Sequence, residues 1–175
     1  MKKIVFVCGI ISGLIVASLM VVSSIICSRN ENYDIGMVMG YTSMILAFSL
    51  IFVGIKNYRD KYNSGFISFG KAFKIGLYIT LIASTFYVVT WLIENYFFMP
   101  GYIDKYSAHM LNKLKAAGAG PEEMAKKTKE MADFALMYKN PFFKVMMTYV
   151  EVLPVGLLVT LISSLILKRK VKAVI

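Results

Sequence analysis

Glu151 has the most chemistry to offer, because of where it lies. It sits seven residues into the apolar run Val145–Leu167. That is about 10 Å below the outer end of the run, taking about 1.5 Å of helical rise per residue. No Lys or Arg lies at this depth in any apolar run. Tyr87 and Trp91 of the run Ile75–Phe98 do, and both can donate hydrogen bonds. Glu94 continues their helical face at i, i+4, i+7. It lies about 6 Å below the outer end, within reach of water. An ionised carboxylate at the centre of a membrane span costs about 2.5–3.5 kcal/mol or more. Glu151 is therefore expected to be protonated or to border water. Pro154 has no amide hydrogen and frees the carbonyl of Val150, which predicts a helix kink beside the carboxyl. Two readings stay open. Glu151, Glu94, Tyr87 and Trp91 form a proton or cation site, or a protonated Glu151 ties the third and fourth helices together.

The remaining chemistry is thin. There is no Ser/His/Asp set, no metal-ligand cluster and no phosphate loop, so we expect no enzyme, no catalytic residues, no metal and no cofactor. His109 stands alone, and a metal site needs more ligands than one. Cys8 and Cys27 sit near opposite ends of one run, about 28 Å apart by helical rise. They cannot pair with each other.

The elements that must position these residues are four apolar runs: 4–27, 35–55, 75–98 and 145–167. Each is 21 to 24 residues long in a chain of 175 residues that is 58% apolar. That length spans the hydrocarbon core of a bilayer, about 30 Å thick. Backbone amides in hydrocarbon must be satisfied within their own segment, so the runs are expected to be helices. The fold expected is an all-α integral membrane bundle of four transmembrane helices.

The net charge of +10 does not point to nucleic acid, because of its distribution. Lys2, Lys3, Lys56, Arg59, Lys61, Lys71, Lys74, Lys168, Arg169, Lys170 and Lys172 all fall on one side of a four-helix topology, against Asp60 alone. Positive residues stay cytoplasmic, so both termini are expected inside. The uncleaved first helix then has the look of a signal peptide that is too long and lacks a small-residue cleavage site.

Small residues at spacing four (Gly9, Gly13 and Ala17 in the first helix, Gly36 and Gly40 in the second) allow close helix approach. With the short link Ser28–Asp34 they predict an antiparallel hairpin, with Ala17 opposite Ser43 and Gly40 opposite Val21. The same spacing would also serve a dimer seam. The loop 56–74 interleaves Lys56, Arg59, Lys61, Lys71 and Lys74 with aromatics, which suits contact with anionic lipid headgroups on the inner face. Asn63-Ser64-Gly65 reads as a turn, and Gly70 as a break in a short helical start.

The segment 99–144 is the one large water-facing part. Ile103, Tyr106, Met110 and Leu114 make one helical stripe, and Met124, Met131, Ala135 and Tyr138 a second. Residues 116–120 separate them, Pro121 suits a first helical position, and Asn140-Pro141 ends the pattern. Glu122 to Lys126 and Glu123 to Lys127 are candidate i, i+4 pairs. This predicts an extracytoplasmic amphipathic helical hairpin that must lean on the membrane face, the bundle mouth, a second copy or a partner protein.

Four blocks carry a resemblance: Gly54-Ile-Lys-Asn-Tyr-Arg-Asp60, Ser68-Phe-Gly-Lys-Ala-Phe73, Asn140-Pro-Phe and Glu151-Val-Leu-Pro-Val-Gly156. They are similar to blocks of the bacterial membrane proteins known as domain of unknown function 4199, over nearly the whole chain. The resemblance implies a bacterial inner-membrane protein with four helices and an outer helical hairpin, and it implies no activity. The function expected is that of a non-enzymatic accessory protein that binds a protein partner, or a second copy of itself, through its hairpin. The alternative is a small proton- or cation-linked transporter that uses Glu151.

Overall fold

The computed structural model describes residues 1–30 and 33–169. Six helices follow one another: α1 (Lys2–Asn30), α2 (Tyr33–Tyr62), α3 (Phe69–Ile93), α4 (Tyr102–Ala116), α5 (Pro121–Tyr138) and α6 (Pro141–Leu167). A single π-helical turn, Glu94–Phe98, prolongs α3. Four of these segments are long and apolar enough to cross a membrane: Lys2–Cys27, Asp34–Tyr62, Phe69–Phe98 and Pro141–Leu167. Within their most apolar stretches only 33 to 44% of residues are buried inside the protein. The remaining apolar surface is too large for water to tolerate, so the medium around these helices is hydrocarbon. The chain divides into two compact units. One is Met1–Thr90 with the chain from Tyr149 onward, and the other is Trp91–Thr148.

In the first unit the core is built from Met44, Phe48, Ile51, Ile55, Ile75, Ile79, Val16 and Val152, each no more than 1% exposed. α1 and α2 run antiparallel along each other. Ser12 Oγ donates to the Ala47 carbonyl at 2.7 Å, and Cβ atoms built at Gly54 and Gly36 would lie 3.3 Å from Cys8 Sγ and 3.1 Å from Cys27 Sγ. These contacts set the same register that places Ala17 opposite Ser43.

The glycine seam differs from expectation. A Cβ at Gly9 would lie 2.9 Å from Ile82, and one at Gly13 2.6 Å from the Phe86 ring. Both glycines therefore make room for side chains of α3 rather than for α2. A Cβ at Gly40 would meet nothing within 4 Å, so no side chain of a neighbouring helix presses on that position. Spacing four marks one face of a helix but does not say which neighbour meets it. A second close approach joins α3 and α6. There a Cβ at Gly76 would meet Thr160 at 2.7 Å, and one at Gly156 would crowd the Thr80 methyl and Phe48. Thr80 Oγ1 lies 3.3 Å from the Gly156 carbonyl and 3.1 Å from Thr160 Oγ1. The one hydroxyl proton of Thr80 goes to the carbonyl, so Thr160 donates to Thr80.

α2 and α3 are joined by the turn at Ser64 (φ 51°) and Gly65 (φ 81°), with Asn63 Nδ2 donating to the Phe66 carbonyl. The turn falls where the sequence placed it. Gly70 does not interrupt a helix, because α3 starts at Phe69 and runs through it. Lys71 Nζ donates to Asn63 Oδ1 at 3.2 Å and lies 5.2 Å from the centre of the Tyr58 ring.

In the second unit α4 and α5 pack on each other. The turn between them passes through Gly118 at φ 83°, and Pro121 takes the first helical position of α5. Every member of the two sequence stripes is partly or wholly covered, with Tyr138 the most buried at 9%. The i, i+4 pairs expected from Glu122 and Glu123 are replaced by an i, i+3 pair, Lys127 Nζ to Glu130 Oε2 at 3.0 Å. Asn140 Oδ1 accepts from the amide of Phe142 at 2.9 Å. It therefore caps the start of α6 as well as marking the end of α5.

Candidate functional site

α3 and α6 carry the polar groups to which the sequence pointed, and they divide between the two units. In the first unit the Tyr87 hydroxyl donates to the Glu151 carboxyl. Tyr87 is 7% exposed, so its hydroxyl is held from inside the bundle. Glu151 is exposed, beside Val150 at 59% and Leu158 at 58%. Glu151 thus stands on the outward flank of α6, while its carboxyl turns back to the Tyr87 hydroxyl and is largely covered there. α6 is helical through Pro154. The Val150 carbonyl still lacks its usual donor there, and it lies one residue from Glu151. A second polar link joins the same two helices. Thr85 Oγ1 donates to the Leu81 carbonyl at 2.9 Å, which uses its one proton. The Tyr149 hydroxyl, 3.0 Å away, therefore donates to Thr85.

Trp91 and Glu94 belong to the second unit. The Trp91 indole N–H is committed to the Tyr138 hydroxyl at 2.7 Å, so it is not a donor to Glu151. The Trp91 ring meets Tyr102 edge-on at 5.0 Å, and Tyr102 stacks on Tyr106 at 6.1 Å. On the other side Phe134 lies 5.6 Å from Tyr138 and 6.1 Å from Phe143. Lys144 Nζ donates to Asn95 Oδ1 and sits 5.1 Å from the centre of the Tyr138 ring. Glu94, expected within reach of water, is instead 4% exposed at the start of the π-helical turn, because the chain after it packs over that face rather than leaving it open. The hairpin therefore leans on the extended ends of α3 and α6, through a junction of aromatic rings pinned by one indole hydrogen bond and one lysine.

Tyr138, Asn95, Lys144 and the Thr85–Tyr149 pair were not singled out from the sequence. Tyr138 was placed only as the last member of a stripe. Its partner lies 47 residues away, and helical periodicity carries no information over that distance. Among the described residues no group of three or more His, Cys, Asp or Glu side chains comes together.

Of the cations assigned to lipid headgroups, Lys56, Lys61 and Lys74 are exposed. Arg59 grips Asp60 at 2.6 and 3.2 Å and also reaches the Leu167 carbonyl at 3.4 Å. Lys71 is held by Asn63. Two of the five thus have partners within the protein.

Chemically the arrangement offers a hydrogen-bonded carboxyl at the lipid-facing surface of α6 and an aromatic junction that fixes a helical hairpin. No curated protein and no solved structure matches the chain. A family model does, over residues 8–169, which takes in most of the first span, the other three spans and both of these features. The chain belongs to the family of proteins of unknown function DUF4199.

Proposed function

We propose that the protein is a non-enzymatic membrane accessory protein, whose four spans hold the α4–α5 hairpin at the outer face of a bacterial inner membrane for contact with a protein partner. Both termini lie inside in this reading, because the cations concentrate in the segments that flank the basic end of the bundle. The observation that carries it is the second unit itself. It is a compact structure with its own aromatic junction, pinned by the 2.7 Å bond from Trp91 to Tyr138. Its stripes are covered within the unit, between α4 and α5 and at that junction. What it presents outward is the charged side of α4 and α5, together with the exposed apolar positions Leu136 (64%) and Met137 (48%). A fixed shape with a mixed polar and apolar face suits recognition of another protein.

Deletion of 108–133 tests the reading. The shortened chain should still insert, and any protein that co-purifies with the full chain should be lost. An unchanged set of companions in the shortened chain rejects it.

Proton- or cation-linked transport is the second reading, and Glu151 favours it, since an acid within a span is a functional candidate by default. Its outward position means that a path past it would run along the lipid-facing flank of α6, or between copies, rather than through the bundle. Proteoliposomes should then show flux that depends on a pH gradient and falls in Glu151→Gln. Equal flux in both chains removes this reading.

A further inference from the structure

At one end of the first unit, backbone hydrogen bonds draw three helix ends together. The Ile67 amide donates to the Arg169 carbonyl at 3.1 Å, and the Arg169 amide to the Ile67 carbonyl at 2.8 Å. Ile67 is 1% exposed, so this clasp closes over a filled space. It brings the end of α6, with Lys168 and Arg169, to the loop between α2 and α3; Lys56 and Lys61 lie in the last two turns of α2 before that loop, and Lys74 in the second turn of α3 after it. All five are exposed. Asp60 is the one acid among the described residues of the loop and of the end of α6, and Arg59 holds both of its oxygens. The five cations form no ion pair among the described residues. Tyr62, the last residue of α2, is 62% exposed, and Phe69, the first of α3, 38%.

This concentration of charge sits where three membrane-spanning helices end, so it lies where hydrocarbon gives way to phosphate. Exposed rings beside lysines at that level match the chemistry of the interface, with the rings among the upper acyl carbons and the amines on the phosphates. A clasp that carries its own counter-ion would need no ligand. Here the single counter-ion, Asp60, is gripped by Arg59 and lies within electrostatic reach of Lys56 and Arg169 as well, so one negative charge is shared among several positive ones.

We propose that the clasped end is a binding site for the phosphate of anionic phospholipids, with Lys56, Lys61, Lys74, Lys168 and Arg169 as donors and Tyr62 and Phe69 as the apolar contacts. The occupant is a lipid of the surrounding bilayer, since the donors lie at the level of its headgroups.

The test uses the full chain in neutral detergent, with thermal unfolding followed during titration with phosphatidylglycerol, phosphatidylcholine or inorganic phosphate. Phosphatidylglycerol should raise the unfolding temperature, and the other two should not. The variant K56Q/K61Q/K74Q/K168Q should bind phosphatidylglycerol at least about tenfold more weakly, as expected when several interfacial charges are lost. Arginine at the same four positions should restore binding. K126Q/K127Q/K129Q on α5 should leave it unchanged. If the fourfold Gln variant does not fold, Lys61→Gln and Lys168→Gln are read singly, and each should weaken binding about twofold or more. Three outcomes overturn the proposal: a phosphatidylglycerol effect that survives these changes, an equal effect of inorganic phosphate, or an equal effect of phosphatidylcholine.

Discussion

A carboxyl on the lipid-facing flank of a helix is costly wherever it serves no purpose, and Glu151 is met by one hydroxyl. Interhelical hydrogen bonds in membranes are worth about 0.6 kcal/mol on average and at most about 1.7. Tyr87→Phe should therefore lower stability by about 0.5–1.5 kcal/mol, read as a lower unfolding temperature in detergent. Glu151→Gln keeps an acceptor for Tyr87 and should stay close to the parent. If Tyr87→Phe has no effect while Glu151→Gln unfolds the chain, the bond does not hold α3 to α6. This pair was legible in the sequence because depth along two helices is a matter of counting residues. Trp91 was placed at the right depth by the same count, but its donor points to Tyr138. Counting gives height in the membrane and leaves open which way around the helix a side chain finds its partner.

Among the elements, small residues decide how closely helices come. Gly13→Leu would drive a side chain into the Phe86 ring, where even a Cβ lies at 2.6 Å. Overpacking of this kind costs about 1–3 kcal/mol. At Gly40, which has open space, the same change should cost much less. Comparable loss at both sites in thermal unfolding would contradict the α1–α3 contact. Gly9 and Gly13 stood out because they repeat. Gly54, Gly76 and Gly156 are isolated in sequence and gave no such signal, although they sit in places about as tight.

The hairpin helices were the most readable elements, since Pro121, the glycines before it and two stripes agree. Their surface charges were not. Lys127 pairs with Glu130 rather than Glu123, one of several nearly equivalent choices on an exposed face. The hydrogen bond from Lys127 holds the Glu130 carboxyl below its ordinary range. Its small contribution to stability is therefore present above the ordinary carboxylate range and fades as pH falls through the lower folded value. In an NMR titration, Glu130 should regain an ordinary midpoint in Lys127→Ala. An unmoved midpoint would show that the pair does not persist in solution.

For the whole molecule, the apolar surface left outside the bundle fixes the surroundings. The protein should remain with vesicles through alkaline carbonate and need detergent to stay dispersed. Release by carbonate would remove the membrane reading and everything built on it. Fusions at Ser64 and Gly120 should report opposite sides of the membrane, with Ser64 cytoplasmic. Reports from the same side would break the four-span topology. Span number and order were plain from the sequence because hydrocarbon thickness sets a length that no soluble fold requires. The clasp between Ile67 and Arg169 was not, since a pair of backbone hydrogen bonds leaves no mark in side-chain patterning.

The π-helical turn Glu94–Phe98, closed by the Met99 amide on the Glu94 carbonyl at 2.8 Å, holds one residue more than an α-helical turn would. Loss of a single codon there would let ordinary winding resume and swivel everything downstream by about 100°. Tyr102 and Tyr138 would then miss the indole at Trp91. The aromatic contact between distant parts of the second unit thus hangs on one surplus residue, and a chain without it would have to build that contact from other side chains.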